Sequence, residues 1–172
     1  AIIDEYVFCD GLGKSTKDPV LAFHYRSTET HNGGSLAVAN HLAGFCGTVD
    51  LVTLVGEFDS REDVIRKGLR PNVQPHLLAR RHAPTIHKRR FVDTHTSARI
   101  FELYLMDDEP LNAADETTLL RALDRTVDDS AVVVVAAGVL APAGGAPAVT
   151  PKRGGTLNAT FSSDPAHFDP HR

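Results

Sequence analysis

The sequence predicts a three-layer α/β domain with a largely parallel sheet and a small β-flap beside it. Three stretches carry that expectation. Residues 31–57 place a glycine pair, Gly33-Gly34, before an apolar helical run and then a strand. Residues 112–136 repeat the order, with a helix opening at Asn112 and the β-branched run Val132–Val135 after it. Strands that alternate with helices around buried apolar runs are the pattern of a parallel sheet covered by helices. The stretches at 6–30 and 76–92 are more polar and fit a half-exposed flap better than a central sheet.

The elements follow in order. Ile2 and Ile3 lead through Asp4 into Tyr6-Val7-Phe8-Cys9, an apolar strand, and Asp10–Asp18 is a polar, glycine-containing turn. Val20–Thr30 alternates Leu21, Phe23 and Tyr25 with Ala22, His24 and Arg26, which predicts a half-exposed strand. Leu36, Ala39, Ala43 and Cys46 recur at three- and four-residue steps and define one helical face, with Gly44 and Gly47 as the stop. Val49, Leu51, Val52, Leu54 and Val55 predict a strand buried on both faces. Ser60 with Asp63 approximates a capping box for a two-turn helix carrying Val64, Ile65 and Leu69. Three strand-like runs, His76–Arg80, Thr85–Val92 and Arg99–Met106, precede the helix at Asn112, whose apolar side is Leu119, Leu120, Leu123 and Val127. Ala131–Ala136 predicts a further buried strand.

Composition narrows the function. The chain has 172 residues, 42% of them hydrophobic and 23% charged, with a formal net charge of −4. That mild acidity gives no reason to expect nucleic acid or an anionic membrane as partner. The basic residues Arg80, Arg81, Lys88, Arg89 and Arg90 lack the aromatic array that would stack bases. No apolar run is long enough to span a bilayer. Cys9 and Cys46 form no Cys-x-x-Cys pair and suit a reducing cytoplasm. His82, His87 and His95 share no metal-ligand spacing and are expected on the surface or on the flap, so no metal ligands are assigned.

The residues that could touch a small molecule are few. Gly33 and Gly34 have no Cβ, so a ligand hydroxyl can approach the backbone N–H groups at the positive end of the helix. A glycine turn that only starts a helix would show the same residues. Asp4, at a strand end, reads on its own as a turn or cap residue. Lys14 is expected to be a solvated loop charge and Asn40 a structural hydrogen-bonder.

Taken together, Asp4, the glycine pair and the flap between them resemble the N-terminal part of ribokinase-type (PfkB) carbohydrate kinases. The run Ala-Ile-Ile-Asp-Glu-Tyr-Val-Phe-Cys-Asp-Gly-Leu-Gly-Lys-Ser is most similar to the heptose kinase/adenylyltransferase-related branch, and Pro84-Thr85 before Lys88-Arg89-Arg90-Phe91 fits as well. The resemblance covers residues 1 to about 135. It implies a ribokinase-like fold and transfer of phosphoryl from ATP, with Mg, to a hydroxyl of a sugar or sugar phosphate. It also implies Asp4, Gly33 and Gly34 as substrate-binding residues, and pairing of two copies through the flap. The general base of such kinases lies in a late Gly-x-Gly-Asp segment, which nothing after residue 135 matches, and Ala37 stands where an Asn is common. No catalytic residue is therefore assigned.

The expected organisation is a partial kinase domain at 1–137, an Ala/Pro/Gly linker at 138–151 and a foreign or unstructured tail at 152–172. The tail, Lys152 to His171, resembles the mature N-terminus of periplasmic oligopeptide-type solute-binding proteins. The competing expectation is a non-enzymatic sugar- or solute-binding fragment.

Overall fold

The computed structural model describes residues 1–136 of the chain. The linker and tail expected at 138–172 lie outside the described residues. The elements, in order, are β1 (Ile2–Lys14), β2 (Leu21–Gly33), α1 (Ser35–Leu42), β3 (Val49–Phe58), α2 (Glu62–Lys67), β4 (Val73–Pro84), β5 (Ile86–Asp93), β6 (Arg99–Leu105) and α3 (Ala113–Val127).

Two sheets result. The flap has four strands in the order β2-β1-β5-β6, and β3 pairs with β4 in a second, two-stranded sheet. Within the flap the central pair β1–β5 is parallel, while β1–β2 and β5–β6 are antiparallel; β3–β4 is parallel. The expectation of a largely parallel sheet is thus corrected to equal numbers of parallel and antiparallel pairings among the described residues. The flap also draws its strands differently from the sequence expectation. Residues 76–80 belong to β4 beside β3, and β6 takes their place in the flap.

Apolar periodicity explains where the core sits. Leu36, Ala39 and Ala43 of the predicted α1 face are buried with Ile3, Leu51, Val55, Ile65 and Val73, whereas Cys46 is exposed. Ile3, Leu36 and Ile65 are almost fully covered, and each such side chain contributes about 1.5–3 kcal/mol. β3 alternates: Leu51, Thr53 and Val55 are buried, while Val52 and Leu54 are half-buried. Its apolar run therefore does not mark burial on both faces. Ala131–Ala136 is not a strand, and four of its six residues are exposed. Its β-branched residues line a cavity with Val49–Val52 of β3 but form no ladder with it, and propensity alone does not make one.

Helix caps follow the local chemistry with one exception. The Asn112 side chain accepts from the N–H groups of Ala114 and Asp115, which starts α3. Leu119 and Leu123 are half-buried, while Leu120 and Val127 stay exposed. α2 is capped by Arg61 and not Ser60; Arg61 is left-handed at φ 54°, and Asp59 at φ 51°. Asn40 holds the α2–β4 turn, donating to Gly68 O at 2.7 Å and accepting from Arg70 N at 2.9 Å. The structural role expected for it is the one it has.

Gly56 locks the end of β3 to the start of β5. A Cβ there would lie 2.2 Å from the backbone of Pro84 and Thr85, while Gly56 N donates to Thr85 Oγ1 at 2.8 Å. Backbone cannot rotate away as a side chain can. Gly56→Ala is expected to destabilise the chain by about 1–3 kcal/mol or more. Gly47→Ala, whose Cβ would meet open space, should leave the unfolding midpoint nearly unchanged. Denaturant titration of the two variants checks the contrast.

Candidate functional site

The β1–β5 register decides which side chains meet. Asp4 lies opposite Lys88, and Tyr6 opposite Arg90; on the other side of β1, Asp4 faces His31 and Ile2 faces Gly33. On β6, Glu102 pairs with Arg90 and Tyr104 with Lys88. Residues opposite one another share a face of a sheet. Asp4, Tyr6, His31, Gly33, Lys88, Arg90, Glu102 and Tyr104 therefore make one polar, aromatic face.

Arg90 is the hub of that face. Its Nη1 donates to Asp4 Oδ1 at 2.5 Å and its Nε lies 3.3 Å from Glu102 Oε1. Its guanidinium stands 5.3 Å from the centre of the Tyr6 ring. The side chain is only 10% exposed. Burial works against its charge, but the Asp4 hydrogen bond and charge, with Tyr6 and Glu102, hold its pKa above the ordinary value. Around it, His31 meets the Tyr6 ring edge-on at 5.8 Å, and the Lys88 ammonium sits 5.2 Å from the centre of the Tyr104 ring. A groove of about 470 Å³ continues along the face, lined by Tyr6, Phe8, Glu29, His31 and Arg99 among others.

The structure brings Asp4 and Gly33 into direct contact. A Cβ on Gly33 would fall 2.1 Å from Asp4 Oδ2, and one on Gly34 would fall 2.9 Å from Ile2 Cδ1. Gly34 is also left-handed at φ 53° where it caps α1. The two glycines thus make room for β1 side chains: one admits the carboxylate, the other an isoleucine. Asp4 keeps a second oxygen, Oδ2, beside the Gly33 backbone and is about one-fifth exposed. Geometrically the three residues lie at one place, a strand–turn–helix corner at the root of the flap.

Sequence reasoning missed Arg90, Tyr6 and Glu102 as members of this corner. The basic strand at 88–90 was visible, but its pairing with β1 depends on a parallel register that no local pattern encodes. His87, expected on the surface or on the flap, lies on flap strand β5, where it is 2% exposed. His82 and His95 are exposed as expected. Lys14 is exposed too. Cys9 is a free, buried thiol whose pKa is pushed up by burial and by the Asp93 and Asp10 charges. Asp10, at the far end of β1, accepts from Thr94 and Arg26, which hold its carboxyl below the usual range.

Among the described residues, no cluster of three His, Cys, Asp or Glu side chains could hold a metal ion. No helix of the described residues is long and apolar enough to cross a membrane.

No family model and no curated protein sequence matches the chain. Solved structures do. A chain described as a possible 1-phosphofructokinase from Thermotoga maritima superposes with a TM-score of 0.55 at 14% identity, over 77% of this chain and 41% of that one. Phosphofructokinase-2 from Escherichia coli in complex with fructose-6-phosphate gives 0.52 at 13% identity, over 78% and 41%. The tetrameric inhibited form of the same enzyme gives 0.50 at 13% identity, over 78% and 41%. The chain spans about two fifths of the length of these neighbours. At such identities the likeness establishes architecture: the chain has a ribokinase-like α/β fold, in part, of the kind found in sugar kinases.

Proposed function

We propose that the Asp4–Gly33–Gly34 corner binds sugar hydroxyls, and that the chain is the sugar-binding part of an ATP-dependent carbohydrate kinase. The observation that carries this is the Asp4 carboxylate, fixed by Arg90 on one oxygen and laid against the Gly33 backbone with the other. A carboxylate held by a guanidinium accepts from vicinal hydroxyls without losing side-chain freedom on binding. The run from Ala1 to Ser15 favours the heptose kinase/adenylyltransferase-related branch, with a sugar or sugar phosphate as substrate, working in the cytoplasm.

The described residues present no group of three His, Cys, Asp or Glu side chains that could hold a metal ion, and Gly11-Leu-Gly13-Lys14-Ser15 is too short for a phosphate loop. No phosphoryl-transfer step is derived from them, and the reading is of binding alone.

In a nuclear magnetic resonance titration with a panel of aldoses, shifts should concentrate at Asp4, Tyr6, His31, Gly33 and Arg90. Gly33→Ala, which displaces the carboxylate, and Asp4→Asn should each weaken binding at least tenfold while the chain stays folded. Shifts spread over β3 and β4, or unchanged affinity in both variants, would contradict the proposal.

The same reading has two copies pair through the flap. On the face opposite Asp4, edge strand β6 presents Phe101, Leu103 and Leu105 at 50%, 47% and 39% exposure. Phe91 stacks on Phe101 at 4.2 Å and extends the strip. An apolar edge strand of this kind invites a second copy. Sedimentation should show a dimer that Leu103→Glu dissociates; a wild-type monomer at high concentration would count against it.

A further inference from the structure

His87 is a buried titratable group that the proposed site does not use. It lies on β5 opposite Ile3 of β1, on the face turned away from Asp4. Its side chain is 2% exposed, and Nε2 is buried without a hydrogen-bond partner. Glu5 Oε1 on β1 stands 3.6 Å away. Four charged groups act on the ring from the surrounding elements: Glu5 from β1, Arg89 from β5, and Asp59 and Arg61 from the β3–α2 loop.

Both carboxylates are already committed. Glu5 is hydrogen-bonded to Arg89 Nε, and Asp59 is paired with Arg61 at 2.7 Å. A proton on His87 would therefore add a third cation, beside Arg89 and Arg61, on a ring that is itself 2% exposed, and the counter-charge that faces it, Glu5, is shared with Arg89. The β3–α2 loop is held in place by Thr85 Oγ1, which donates to Ser60 O at 2.8 Å. It carries the two left-handed residues Asp59 and Arg61, so it is the strained side of the contact.

We propose that His87 is a proton-sensitive latch at the root of the flap: neutral, it lets β1 and β5 close on the 59–61 loop, and protonated, it parts them. Burial, the largest influence on the ring, lowers its pKa from the ordinary 6.5, Arg61 and Arg89 lower it further, and Glu5 and Asp59 act in the opposite sense. The sign follows from linkage. The closed seam binds fewer protons than the open one, so closure is fully stabilised above about pH 6.5 and weakens as pH falls from there toward the closed-state pKa. This latch does not depend on what the opposite face of the flap binds.

Hydrogen exchange of the full chain between pH 8 and pH 5, corrected for intrinsic rates, tests it. Amides of Ile3, Glu5, His87 and Arg89 should lose protection at least tenfold relative to Leu51 and Val55, and His87→Gln should abolish that loss. If the Gln variant fails to fold, the His87 ring titration in the wild-type chain takes its place. A titration below 6.5 whose midpoint coincides with the loss of protection supports the latch. A ring that titrates at 6.5 or above, a midpoint apart from that of exchange, or the same pH-dependent loss in His87→Gln overturns it.

Discussion

The structure depends on the parallel pairing of β1 with β5, and within it on the contact between Arg90 and Asp4. Parallel neighbours cannot be joined by a hairpin, so everything from β2 to β4 is looped out between them. That loop contains most of the core: α1, β3, α2 and the buried face of β4. Closing the pair brings Ile3 into the core on one face of the flap and Asp4 against Gly33 on the other. One register thus sets both the packing and the candidate site.

Arg90 makes this register specific. A slip by one residue would send every side chain of β5 to the opposite face. Arg90 would then leave Asp4 and Glu102, and His87 would leave its buried site. Asp4 would lose its cation and Glu102 would keep only Arg99, the more exposed of its two. The flap therefore has a polar lock on one face and an apolar row on the other. At the far end, Asp10 fastens β1 to Arg26 of β2 and to Thr94 beyond β5.

Much of this was legible in the sequence, for physical reasons that differ by residue. Helical periodicity marked Leu36, Ala39 and Ala43, because one face of a short helix must be buried. Asn112 was legible as a helix start because its side chain satisfies N–H groups that the helix cannot. The glycine pair was visible, but its reason was not: Gly33 and Gly34 are shaped by Asp4 and Ile2, about thirty positions away in the chain. Val132–Val135 misled because β-branching records a preference that only a neighbouring strand can realise. His87 was expected on the surface or on the flap and lies on flap strand β5, but its burial under a loop leaves no periodic trace. The mixed flap was hidden for the same reason, since strand order is a property of tertiary pairing.

A double-mutant cycle between Asp4 and Arg90 tests the central claim most directly. Asp4→Asn, Arg90→Met and the double variant would be compared by denaturant unfolding of the full chain. If this contact fixes the β1–β5 register, the single changes are each destabilising and the pair couples by about 1–3 kcal/mol. Additivity within about 0.5 kcal/mol would mean that the two residues act independently, and that the register and the carboxylate's place over Gly33 are set elsewhere.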